Sequence, residues 1–114
     1  MNTRRAATLE RAIDKVKREL GDLGDMRPGS LSTQYNVCGT AGCRCKATPP
    51  QKHGPYYQVS YTRKGKSSSK FVKEKDLPEV RRQLKNYERM KALMEQWIDL
   101  SMELSTLRLN KECV

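Results

Sequence analysis

Cys38, Cys43, Cys45 and His53 follow one another as C-x4-C-x-C-x7-H, with Gly39 and Gly42 between the first two cysteines. Glycine lets a short loop close around an ion, and three thiolates with one imidazole fill the four tetrahedral positions that zinc prefers. A set so complete leaves no place for a catalytic water, so the expected chemistry is structural, with Zn2+ acting as a clasp. Arg44 and Lys46 flank the third cysteine and Lys52 precedes His53. Cations beside thiols favour the thiolate and so the metal, and the same cations can face phosphates. Reduced structural thiols, a disulfide pairing and an iron–sulfur cluster are the alternatives for these sulfurs. Cys113 is the alternative fourth ligand if the C-terminal segment folds back.

The second group of residues is basic. Tyr57, Val59 and Tyr61 alternate with Tyr56, Gln58 and Ser60, then Arg63-Lys64-Gly65-Lys66 intervenes before Ser67 to Val72. That pattern predicts a two-stranded hairpin, with Gly65 permitting a positive φ at its turn. Such a ribbon fits the major groove of DNA, and its tip and second strand would present Arg63, Lys64, Lys66 and Lys70 to phosphates. Tyr56 would stack on a base if the target is single-stranded, whereas Tyr57 and Tyr61 are expected in the core. The plainer reading of these lysines is protection of an exposed strand edge against pairing with other chains.

Other chemistries are not assembled. Gly65-Lys66-Ser67 has the tail of a phosphate-binding loop, but Ser60 stands where its first glycine belongs. With one histidine, no second imidazole is available for hydrolase or recombinase constellations. Within 25–75 only Asp25 and Glu74 are acidic, so a paired-carboxylate site for two metals is not expected. The reading is a binding protein and not an enzyme.

The elements that must position these groups divide by charge. Residues 1–24 carry six basic and four acidic residues, and Leu9, Ile13, Val16, Leu20 and Leu23 recur at spacings of four and three. This predicts an amphipathic helix, with Thr8 as its N-cap and Gly21 and Gly24 at its end. Residues 25–75 hold ten basic residues against two acidic ones, a balance of +8 out of the chain's +10, and are punctuated by Pro and Gly. Residues 76–114 are neutral, with seven of each sign. Asp76, Pro78 and Glu79 read as a cap, a first-turn proline and the far end of a capping box. From Val80 through Leu84, Tyr87, Met90, Met94, Trp97, Leu100 and Leu104 to Leu107 one apolar stripe is expected, widened by Leu93 and Ile98. Over about thirty residues that helix is roughly 45 Å long, more than a small module needs. Its cover is either the N-terminal helix in a two-helix hairpin, a second copy forming a homodimer through the C-terminal helix, or a protein partner.

At 114 residues with 36% hydrophobic and 32% charged residues, one domain spanning 1–114 is expected, with a core thin enough that a metal or a partner would help stabilise it. The +10 charge fits a phosphate-backbone binder. No run of about 18 apolar residues exists, so no membrane span is expected. Met1 to Leu20 lacks the apolar stretch of a signal peptide and contains Glu10, Asp14 and Glu19, so the reading is a cytoplasmic protein with reduced thiols.

The run Cys38-Gly39-Thr40-Ala41-Gly42-Cys43-Arg44-Cys45, with His53-Gly54-Pro55-Tyr56-Tyr57 and then Gly65-Lys66, resembles an uncharacterised prokaryotic family of small proteins often encoded beside transposases and other mobile elements. The resemblance spans about Gly29 to Leu100. It implies a zinc-bearing module, a hairpin and a long helix, and it brings no catalytic residue. The chain is therefore expected to be an α+β protein: an N-terminal amphipathic helix, a zinc-clasped loop with a two-stranded β-hairpin, and a long C-terminal helix. The function expected is an accessory protein of a mobile element that touches DNA or RNA. The rival is an adaptor that binds a transposase or another nuclease through the long helix, which an exposed apolar stripe on that helix would favour.

Overall fold

Leu9, Ile13 and Val16, spaced at one helical turn, are the buried residues of the first element, α1 (Thr3–Gly21). The computed structural model describes residues 3–36 and 53–112, and after α1 the chain forms β1 (Ser30–Asn36), β2 (His53–Arg63), β3 (Lys66–Val72) and α2 (Leu77–Glu112). Helices and an antiparallel sheet make this the expected α+β class with a long C-terminal helix. The chain divides into two compact units, one of Met1–Met26 with Lys85–Val114 and the other of Arg27–Leu84.

In the first unit α1 lies antiparallel on the later turns of α2. Leu9, Ile13 and Leu104 form the core, with Ala6, Trp97, Leu100 and Leu107 packed against it. Arg89 pairs with Glu19 at 3.3 Å near one end of α1, and Arg5 with Glu103 at 2.5 Å near the other. Lys17 lies 5.2 Å over the Trp97 ring. Of the three covers foreseen for the long helix, this is the two-helix hairpin.

Three local expectations need correction. Thr8 is not a cap: α1 already begins at Thr3, and the Thr8 hydroxyl donates to the Arg4 carbonyl at 3.0 Å inside the helix. The Arg and Ala residues before Thr8 are strong helix formers that carry the helix upstream. No capping box forms at α2, because a single 3-10 turn at Glu74–Asp76 directs the Asp76 N–H to the Lys73 carbonyl at 2.9 Å. Glu79 instead accepts from Arg82 and from Gln83 one turn on. The third correction concerns the apolar stripe of α2. Its members advance about 3.4 residues per step around a 3.6-residue helix, so the stripe drifts roughly half a revolution between Val80 and Leu107. Leu93 is consequently fully buried, while Met94 and Ile98 are exposed.

The second unit holds the sheet, ordered β1-β2-β3 and antiparallel throughout. The expected hairpin, β2 with β3, is therefore two strands of three. The third strand was missed because Ser30 to Asn36 is mostly polar, and its alternation of Leu31 and Thr33 with Ser30, Ser32 and Gln34 gives weak contrast. Val59 and Leu77 are the buried apolar side chains described in this unit. Arg27 is tied to Gln83 by backbone N–H to carbonyl at 3.2 Å and by side chains at 3.3 Å. No described helix is long and apolar enough to cross a membrane.

Candidate nucleic-acid interface

Directly opposed residues of an antiparallel pair project to the same side of a sheet, so the register assigns every strand residue to a face. Leu31, Thr33, Tyr57, Val59, Tyr61, Lys70 and Val72 share one face. Burial follows that assignment: Val59 is 0% exposed, and Leu31, Tyr57, Tyr61 and Val72 are half-buried. Tyr57 and Tyr61 thus stand on the core side, as their alternation with Tyr56 predicts. Toward the hairpin tip the same face carries Arg63 and Lys66, which oppose each other directly and are both exposed.

Arg63, Lys64, Lys66 and Lys70 are accordingly brought together on one hairpin. Like charges directly opposed across strands repel, and Arg63 with Lys66 is such a pair. Lys64, at the turn, has φ 53° and is followed by Gly65 at φ 78°, the two positive angles of a type I′ turn. Gly65 adopts this without cost, but a lysine there is strained, since the left-handed region disfavours side chains other than Asn and Asp. Lys64→Asn is therefore expected to stabilise the protein by about 1 kcal/mol in thermal unfolding. The same substitution should flatten the salt dependence of polyanion binding by about one unit of slope.

The described ion pairs separate the hairpin from the helices. Arg5, Arg82, Arg89, Lys91 and Arg108 each pair with a carboxylate, and all five lie in helices. Among the described residues, none of Arg63, Lys64, Lys66 and Lys70 has such a partner. From residue 26 to residue 73 the sequence contains no Asp or Glu at all. Four exposed cations with no carboxylate partner among the described residues make a site whose charge is complementary to an external anion.

The remaining residues expected in the site are placed only in part. Cys38, Cys43, Cys45, Arg44, Lys46 and Lys52 lie outside the described residues, as does Cys113. His53 opens β2, where the register pairs its Cα with that of Asn36. Asn36 and His53 are the described residues on either side of 37–52. Three thiolates and one imidazole are a donor set of the kind zinc prefers.

The other face of the sheet was not foreseen as a unit. Ser30, Ser32, Gln34, Tyr56, Gln58, Ser60, Thr62, Ser67, Ser69 and Phe71 share it by register. Cross-strand pairs join its polar groups: Ser60 with Ser69 at 3.2 Å, Thr62 with Ser67 at 3.0 Å, and the Gln34 amide to Gln58 at 2.6 Å. Phe71 meets Tyr56 edge to face, their ring centroids 6.5 Å apart. The sequence did hold the signal for Phe71: once Val72 points inward, strand alternation turns Phe71 out.

Compared with known proteins, residues 6–82 match a family described as Domain of unknown function (DUF6788). No curated protein and no solved structure matches the chain.

Proposed function

The chain belongs to this domain family of unknown function, which lends it no activity, and from the residues themselves we propose a small nucleic-acid-binding accessory protein. In this reading a structural zinc site positions a basic β-hairpin, and the protein binds without catalysing. The observation that carries it is the set of four exposed hairpin cations without described carboxylate partners, on a stretch of chain free of acidic residues. Arg63, Lys64, Lys66 and Lys70 contact phosphates, and Arg44, Lys46 and Lys52 add charge from the cysteine-bearing segment. Phosphate contacts of this kind supply affinity and position without reading sequence.

Cys38, Cys43, Cys45 and His53 hold the zinc, whose contribution is to fix the loop between β1 and β2. A site of this kind contributes folding energy, because the ligands are far from one another in the unfolded chain. The purified protein is expected to carry zinc in a fixed ratio to the chain. Stripping it with a chelator should abolish gel shifts of DNA or RNA probes, and returning zinc should restore them. A protein that holds no metal, or one whose gel shift survives chelation unchanged, would remove the clasp from the reading.

A second reading is favoured by a separate observation. Met94, Ile98, Met102 and Leu109 are exposed along α2, on turns whose opposite side packs against α1. An adaptor that binds a protein such as a transposase or another nuclease, or a second copy of the chain, would use this stripe. The two readings differ in which element carries the function: hairpin substitutions disable the first, and α2 substitutions the second. The association with mobile elements belongs to both as a proposal.

A further inference from the structure

A sheet face that packs against another protein layer is normally apolar, because two inner faces must interdigitate to exclude water. The outer face of this sheet is of another kind. Three pairs of its polar side chains are bonded across the strands, and it carries two aromatic rings among them. Phe71 is 72% exposed and Tyr56 41%. Phe71 projects from a strand of serines and meets the edge of a second ring.

A shallow groove beside the two rings is lined by Pro55, Tyr56, Tyr57, Phe71 and Val72, with Lys73 and the carboxylate of Glu74 at its end. Lys73 is exposed and follows β3 directly, and Lys66 and Lys70 stand on the same edge strand. By register Lys66 and Lys70 belong to the opposite face, so Lys73 is the cation that lines the groove beside the rings. Flat apolar rings with Lys73 beside them and Lys64 at the hairpin tip match one ligand chemistry, a strand that offers unpaired bases and a phosphate backbone together. A duplex hides its base faces in the stack and cannot use the rings.

We infer that Tyr56 and Phe71 form a stacking platform for unpaired nucleobases, so that the preferred ligand of the hairpin is single-stranded nucleic acid. This deepens the polyanion reading and rests on it. The rings give selectivity for unstacked bases, while the cations give the salt-dependent part of affinity. Gln58 and Ser60, between Tyr56 and the tip on the same face, border the path a strand takes from the rings toward Lys64.

The test uses the full zinc-loaded chain with four labelled probes: a thymidine oligomer, a uridine oligomer, an abasic oligomer of equal length, and a duplex. Phe71→Ala should weaken binding to both unpaired oligomers by about tenfold and leave the abasic oligomer and the duplex unchanged, with the salt slope retained. Phe71→Trp should restore binding, and the new indole emission should fall when the thymidine oligomer is added. The ratio of thymidine to uridine affinity identifies whether the natural strand is DNA or RNA. Equal losses on all four probes, or none on any, would overturn the platform and leave the polyanion reading intact. If the unsubstituted protein binds none of the probes, both fall together.

Discussion

Replacing Lys64, Lys66 and Lys70 together by alanine is expected to weaken binding to every nucleic-acid probe by roughly a hundredfold at about 0.15 M salt. The estimate follows from counterion release. Each phosphate neutralised contributes about 0.9 to the slope of log affinity against log salt, so three lost contacts flatten that slope by about three units. The loss should be uniform across sequences, because charge contacts to the backbone carry no base information. All three side chains are exposed, and the strand pairs and Val59 that hold the hairpin are untouched, so circular dichroism should be unchanged. Replacing the same three lysines by glutamine keeps the long stems and removes only the charge. Equal losses in the alanine and glutamine variants would assign the effect to charge, and an unchanged salt slope in either would reject the hairpin as the contact surface.

That expectation rests on features the sequence displayed unevenly. The hairpin was legible because a period-two alternation and a glycine at a two-residue turn are local signals, and the structure places Arg63, Lys64, Lys66 and Lys70 on it together. α1 was legible for the same reason, since Leu9, Ile13 and Val16 mark one turn after another. What escaped is non-local. β1 pairs with β2 across segment 37–52, and nothing in its polar residues says that a partner strand waits beyond the cysteines. The drift of the α2 stripe was misread because spacings of three and four look like one face when counted, yet accumulate an angle when wound on a helix. Asp76 and Glu79 have the spacing of a capping box, but the Asp76 N–H is satisfied by the 3-10 turn, a competition that residue types alone do not decide. Phe71 is the intermediate case: alternation with Val72 turns it outward, but its place beside Tyr56 follows only from the pairing of β3 with β2.

The largest effect on stability is expected from one methyl group at Gly29. Its φ of +123° lies where side chains are rarely tolerated, and a Cβ built there would sit 2.5 Å from the Ser60 carbonyl oxygen and 3.1 Å from the Tyr61 Cβ. The first obstacle is backbone of β2, held in register by Ser30 opposite Ser60 on one side and Ser69 opposite Ser60 on the other. It cannot rotate away as the end of a long side chain would. Gly29→Ala must therefore distort the chain entering β1 or prise that end of β1 from β2, at a cost of about 2–4 kcal/mol. In a protein of this size the loss should appear as a fall in Tm of roughly 10 °C or more. Gly21→Ala supplies the contrast, since a Cβ there meets nothing within 4 Å and its φ is ordinary; at the end of α1 it should be neutral or stabilising. The pair of variants also decides whether the third strand matters. A two-stranded ribbon would be indifferent to Gly29, so a neutral Gly29→Ala would mean that β1 contributes nothing to the sheet. A selective collapse would mean that the hairpin's cations and rings are presented by three strands acting as one.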